Sequence, residues 1–213
     1  MLNKQSVARP ARQISFTVIR GARQGVSPVL MNLLYDTGAP ALAFLAERYG
    51  LQRIPGLTSN QAIISRILKY LGPQQLERLK DDLIASRFGA LSVEGLVKLA
   101  VVRDRQQTGR AAPRLDQVSR EGARLVEGST QRWIYTLRGH DVVVDTAQRL
   151  LACDCRYFQF AAHRQGLCKH LATVFQLIPE VYAREALIDL LVSRQYGGPD
   201  TPRWRFIPIH KSN

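Results

Sequence analysis

Three cysteines and a histidine crowd into the stretch CDCRYFQFAAHRQGLCKH: Cys153, Cys155, Cys168 and His170. Cysteine occurs nowhere else in the 213 residues. The order is Cys-x-Cys, twelve residues, then Cys-x-His. Two close pairs of soft or borderline donors can each fix one edge of a tetrahedron, and Cys3His is a standard structural set for zinc. The chemistry needs thiolates. A helix N-terminus is expected to lower the pKa of Cys168, and the metal to complete deprotonation of all three thiols. Four protein ligands leave no open position for water, so one zinc ion held here would support structure and not catalyse.

Other uses of these residues are weaker. A redox pair of Cys153 and Cys155 would be strained and would give Cys168 and His170 no role. A catalytic cysteine paired with His163 or His170 lacks a third, orienting group. Three buried structural cysteines remain as the plainest reading. His163 is a spare ligand candidate, but it has no close-spaced partner and reads as a surface or loop histidine.

The elements around the four residues must bring the pairs together. RWIYTLR alternates apolar and polar positions, GHD turns into VVVD, and a second turn at 146–148 leads into RLLAC, so Cys153 and Cys155 fall where the last strand of a small sheet ends. Downstream, KHLATVFQLI places Leu171, Val174, Phe175 and Ile178 on one helical face, closed by Pro179. Cys168 and His170 therefore open that helix. The spacer between them, with Arg156, Tyr157, Phe158, Phe160 and Arg164, reads as a loop anchored by the metal. A further helix, EVYAREALIDLLVSRQYGG, can pack through Ala183, Leu187, Leu190 and Leu191. In the tail, Trp204 and Phe206 alternate with Arg203 and Arg205; pinning the C-terminus is favoured over stacking on bases.

Upstream the period is helical. LTSNQAIISRILKYLG offers a capping box from Thr58 to Gln61 and an apolar stripe of Ile63, Ile64, Ile67 and Leu68. Pro73 starts a second helix with Leu76, Leu79 and Leu83 inward, ending near Gly89. Ser92 caps a third, with Leu96, Leu99 and Ala100 inward. Residues 1–27 form a basic arm with one short strand, ISFTVIR. Residues 28–105 make a helical domain and 106–127 a basic linker, followed by the metal-binding domain at 128–213.

The chain carries 30 Lys plus Arg against 17 Asp plus Glu, a formal charge of +13. Through Glu127 there are 19 basic and 10 acidic residues, so the excess is mainly N-terminal. A field of this sign attracts polyanions. Arg9, Arg12, Arg20 and Arg23 in the arm, with Arg156, Arg164 and Lys169 around the cysteines, are the expected phosphate contacts. No P-loop, dinucleotide fingerprint or G-x-S-x-G is present, and the expectation is a protein that is not an enzyme. No apolar run approaches the roughly 20 residues of a membrane span, and no secretory signal is evident. A cytoplasmic or otherwise intracellular location, nucleoid or nucleus included, is the expectation, and there a structural disulfide is disfavoured, as it is by the odd count of three cysteines. An Arg-rich, acid-poor start also fits a transit peptide, held as a minor alternative.

Strands leading to Cys153-x-Cys155, a spacer, and Cys168-x-His170 opening an apolar helix resemble the SWIM zinc finger, over roughly residues 130–178. Leu150 and Leu151 before the first cysteine and the start CKHL match that family's usual pattern. The resemblance assigns the metal role to Cys153, Cys155, Cys168 and His170. It implies DNA binding or protein–protein interaction, with a helicase, transposase or recombinase as partner. Residues 76–101 also resemble the helical hairpin of SAP modules. The expected fold class is α+β: an N-terminal mostly helical region, a small zinc-stabilised antiparallel sheet with its helix, and a further C-terminal helix. The expected function is zinc-dependent nucleic-acid binding, DNA more than RNA, with a protein–protein adaptor as the alternative.

Overall fold

The computed structural model describes residues 26–108 and 122–210, with side chains over 26–101 and 122–210. Residues 1–25 of the basic arm, with its expected strand and Arg9, Arg12, Arg20 and Arg23, lie outside the described residues, as does most of the expected linker. Among the described residues the chain runs through five helices, α1 (Pro28–Tyr35), α2 (Ala39–Arg48), α3 (Asn60–Tyr70), α4 (Pro73–Phe88) and α5 (Val93–Thr108). Four strands follow, β1 (Ala123–Gly128), β2 (Arg132–Leu137), β3 (His140–Asp145) and β4 (Leu150–Cys153). Then come α6 (Arg156–Ala162), α7 (Lys169–Leu177), α8 (Glu180–Tyr196) and a last strand, β5 (Arg205–Pro208). The class is α+β, as the periodicities imply. None of these helices is long and apolar enough to cross a membrane.

Local signals explain most of the boundaries. Pro28 and Pro73 occupy first-turn positions of α1 and α4, where a missing N–H costs nothing, and Ser27 Oγ accepts from Leu30 N–H at 3.2 Å. Ser92 Oγ accepts from Gly95 N–H at the start of α5. The capping box expected at Thr58–Gln61 is not formed: α3 starts one residue later behind Ser59, which makes no side-chain cap bond. Ile63, Ile64 and Ile67 are buried as their spacing requires. Leu99 is 39% exposed, so the inward stripe of α5 is Leu96, Val97, Ala100 and Val101. At α4–α5 the two helices and their short connection exist, but α4 leans on α1 and α5 on α8 and α7.

The sheet order is β1-β2-β3-β4-β5, antiparallel from β1 to β4, with β5 parallel to β4. Arg138 and Gly139 both have positive φ, the two-residue turn whose twist matches a hairpin, and it pairs Leu137 with His140. His140 and Asp141 are therefore strand residues and not part of the turn. Three elements depart from the sequence reading, one of them β5, a strand formed from residues read as tail. Strand β1 begins at Ala123, inside the segment assigned to the linker; its exposed burial pattern hid the strand period. The spacer between the cysteine pairs is helical over Arg156–Ala162 and not a loop, because Phe158, Ala161 and Ala162 supply a short apolar stripe.

One continuous core runs from Leu30 in α1 to Trp204 before β5. Helix α8 joins the two parts, touching α1, α5 and α7. Its Ala183, Leu187, Leu190 and Leu191 are all buried. Arginines fasten the junction: Arg184 donates to the carbonyls of Gly89 and Leu91, and Arg194 to those of Leu99, Ala100 and Gln165. Trp204 is buried with its indole N–H 2.8 Å from Asp189 Oδ2, so the tail packs rather than presenting this ring.

Candidate metal centre

Each of the four donors sits at the end of an element, which is why two pairs far apart in sequence can meet. Cys153 is the last residue of β4, held between Val142 of β3 and Pro208 of β5. Two residues on, Cys155 is the N-cap of α6, its Sγ accepting from Phe158 N–H at 3.4 Å. Cys168 is the N-cap of α7, its Sγ accepting from Leu171 N–H at 3.5 Å. His170 stands in the first turn of the same helix. Cys153 Sγ in turn accepts from Cys155 N–H at 3.5 Å. Every sulfur thus has a backbone donor, and two lie at the positive ends of helices, an environment that favours thiolates.

The four donor atoms all lie within 4.8 Å of one another, and all four residues are buried. Cys153 Sγ and His170 Nδ1 are 3.8 Å apart. For comparison, Zn–S bonds of about 2.3 Å and a Zn–N bond of about 2.0–2.1 Å at tetrahedral angles separate sulfur from nitrogen by about 3.6 Å. The cluster is thus close to the size of one zinc coordination shell. Val142, Leu151, Phe158, Leu167 and Leu171 are buried in the same hydrophobic core as the three cysteines. No disulfide joins these cysteines.

Electrostatics make the same point from another side. Without a cation the three thiols compete for one negative charge. Cys155 is pulled far below the ordinary thiol range, chiefly by the hydrogen bond from Cys153 and then by that from Cys168. Cys153 is pushed up to about 12, first because its thiol is engaged with Cys155. Cys168 is raised well above the usual value by burial, reinforced by Cys153 and Cys155. The helix N-terminus expected to lower Cys168 is therefore outweighed by desolvation and its neighbours. Only a central cation lets three sulfurs so close together all ionise, and the chain offers this donor set for one zinc ion.

Two further residues brace the centre. His140 stacks on His170 with ring centroids 4.4 Å apart, and His140 Nδ1 lies 2.7 Å from Asp154 Oδ1. Asp154 is the residue between Cys153 and Cys155, so this bond ties the Cys-x-Cys step to β3 and to the ring of the fourth ligand. Spacing gave no signal for His140; only the antiparallel register, which pairs Val142 with Cys153, brings it near. His163 ends α6 in an exposed position, outside the cluster. Of the expected phosphate contacts, Arg156, Arg164 and Lys169 are exposed. Arg156 and Lys169 are the first residues of α6 and α7, each directly after a cysteine ligand.

No curated protein and no solved structure matches the chain. Residues 140–179, from the histidine that stacks on the fourth ligand to the proline that follows α7, match the family model of the SWIM zinc finger.

Proposed function

We propose that this protein is a zinc-dependent, non-catalytic nucleic-acid-binding protein, acting on DNA more than RNA and accessory to a helicase, transposase or recombinase. The observation that carries the reading is the charge around the metal centre. From Cys155 to Pro179 the chain holds Arg156, Arg164 and Lys169 and no Asp or Glu. Two of these cations are the exposed first residues of the helices whose caps are the ligands. Zinc held by the four side chains supplies a rigid joint between β4, α6 and α7 and so fixes the spacing of those cations. An enclosed four-ligand site leaves no coordination position for a substrate, which supports a structural role for the metal.

The test is a salt titration. Zinc-loaded protein, treated with nuclease during purification, is titrated with labelled duplex and single-stranded DNA and RNA. Binding whose logarithm falls linearly with log salt, by about 0.9 per phosphate contact on duplex or about 0.7 on single strands, fits this reading. No binding to any of them at about 50 mM salt refutes it.

A second reading, an adaptor that docks such a partner without touching DNA, draws on strand β1. This strand is an edge of the sheet, and its Leu125 and Val126 are 51% and 61% exposed across a bulge. A stoichiometric partner that stays bound through nuclease and high salt, and is lost on Val126→Lys, favours that reading.

A further inference from the structure

We infer that the outer face of α6 is a stacking platform for an unpaired base, so that the nucleic acid bound is single-stranded. This rests on the nucleic-acid reading above and specifies its ligand. Helix α6 has two opposed faces. Phe158, Ala161 and Ala162 are buried, and they recur at i, i+3 and i+4. Arg156, Phe160 and His163 recur at i, i+4 and i+7, and all three are exposed. At 3.6 residues per turn the second stripe lies almost diametrically opposite the first. Phe160 is therefore held outward by the burial of Phe158 beneath it, and it is 62% exposed.

An isolated exposed aromatic ring is ordinary. Three things set this one apart. Its helix is short, yet it is anchored at its start by Cys155, a ligand of the metal centre, and on its inner side by Phe158, which packs near Phe206 at 6.3 Å between ring centroids. A ring on so fixed a base loses little entropy on stacking. The ring also lies four residues after one arginine and four before another, Arg156 and Arg164. Finally, the 25 residues from Cys155 to Pro179 contain no carboxylate side chain to oppose a phosphate. An aromatic face with flanking cations is the chemistry by which single-strand-binding grooves take bases of any sequence. In a duplex the base faces are stacked on one another and out of reach, so this face discriminates against paired strands. A protein partner with an apolar pocket would use Phe160 as well, but would gain nothing from the flanking arginines unless it were itself acidic.

The experiment measures fluorescence anisotropy of labelled dT20, U20 and a 20-base-pair duplex with the full, zinc-loaded chain and its Phe160→Ala, Phe160→Leu and Phe160→Trp forms. Zinc content per chain and circular dichroism confirm that each variant is folded. The expected result is that Phe160→Ala and Phe160→Leu weaken binding to the single strand by about 5- to 100-fold, the loss of one stacked base. Phe160→Trp restores it, and duplex binding is unaffected by all three. Arg156→Gln should instead lower the salt slope on dT20 by about 0.7. Preference for dT20 or U20 identifies which single strand is read and supports the platform either way. If wild type binds nucleic acid but Phe160→Leu binds the single strand as tightly as wild type, or if single strand and duplex weaken equally, the platform is overturned while the nucleic-acid reading stands. If wild type binds none of the three probes, both fall together.

Discussion

Cys155→Ser separates two jobs that one sulfur performs. Cys155 caps α6, accepting from Phe158 N–H at 3.4 Å, and is also one of the four clustered donors. Serine is among the best N-caps, so the substitution keeps the cap and removes the soft ligand. If capping were the whole of its role, Cys155→Ser would be neutral or slightly stabilising. Zinc held by finger-type sites is worth about 10–16 kcal/mol at neutral pH, which puts one ligand of four on the order of 3–4 kcal/mol. That equals a loss of about 10²- to 10³-fold in zinc affinity. For a chain of this length it lowers the melting temperature by about 6–16 °C at fixed free zinc. Cys155→Ala removes the cap as well and should cost about 1 kcal/mol more. The assays are zinc per chain after gel filtration in a zinc buffer, and thermal unfolding at constant free zinc. A Cys155→Ser protein that keeps one zinc per chain and melts with wild type refutes the metal assignment, leaving the sulfur as a cap.

Zinc uptake should release about two protons per ion between pH 7 and 9, because Cys153 and Cys168 have raised pKa values and hold their protons without metal, while the lowered Cys155 has already lost its own. The sign follows: apparent zinc affinity falls as pH falls, by about 100-fold per unit, and calorimetry in buffers of different ionisation enthalpy that finds less than one proton contradicts it. Trp204→Phe loses the bond to Asp189 and should cost about 1–2 kcal/mol in urea unfolding, with zinc content unchanged. Arg194→Met strips the donors from the carbonyls of Leu99, Ala100 and Gln165 and should cost about 2–4 kcal/mol. A loss below about 0.5 kcal/mol, the range of an ordinary surface change, would show that this arginine does not fasten α8 to α5.

What could be read from the sequence depended on whether the signal was local. The metal ligands are legible because metal spacing is a short-range rule, and α7 and α8 because each repeats an apolar face over more than two turns. The four-strand meander is legible from β2 onward, where one buried face enforces alternation. Strand β1 escaped because an edge strand with an exposed burial pattern has no such constraint. Helix α6 escaped because seven residues are too few to establish a period, and its cap is a cysteine, which reads first as a ligand. The brace of His140 and Asp154 is a product of strand register, and β5 pairs in parallel with a strand more than fifty residues away. Neither leaves a trace in any window of sequence.

The fate of the arginines sharpens what the net charge means. Read as a total, +13 suggests a broadly cationic surface. In the folded chain Arg87 is paired with Asp36 and Tyr196, Arg149 with Asp189, Arg48 with Asp82, and Arg184 and Arg194 with backbone carbonyls around α8. These groups hold elements together, and their bidentate geometry suits carbonyls and carboxylates as well as it suits phosphates. A polyanion therefore meets not the total but the local excess. Among the described residues one such local excess lies where carboxylates are missing from the sequence, in the stretch that begins at the second cysteine ligand and ends after α7. The same stretch contains the last three of the cluster's four donors, so loss of zinc should abolish nucleic-acid binding even though no phosphate touches the metal. A chelator titration read by dT20 anisotropy tests this: binding that persists unchanged on zinc-free protein would separate the cationic surface from the metal centre.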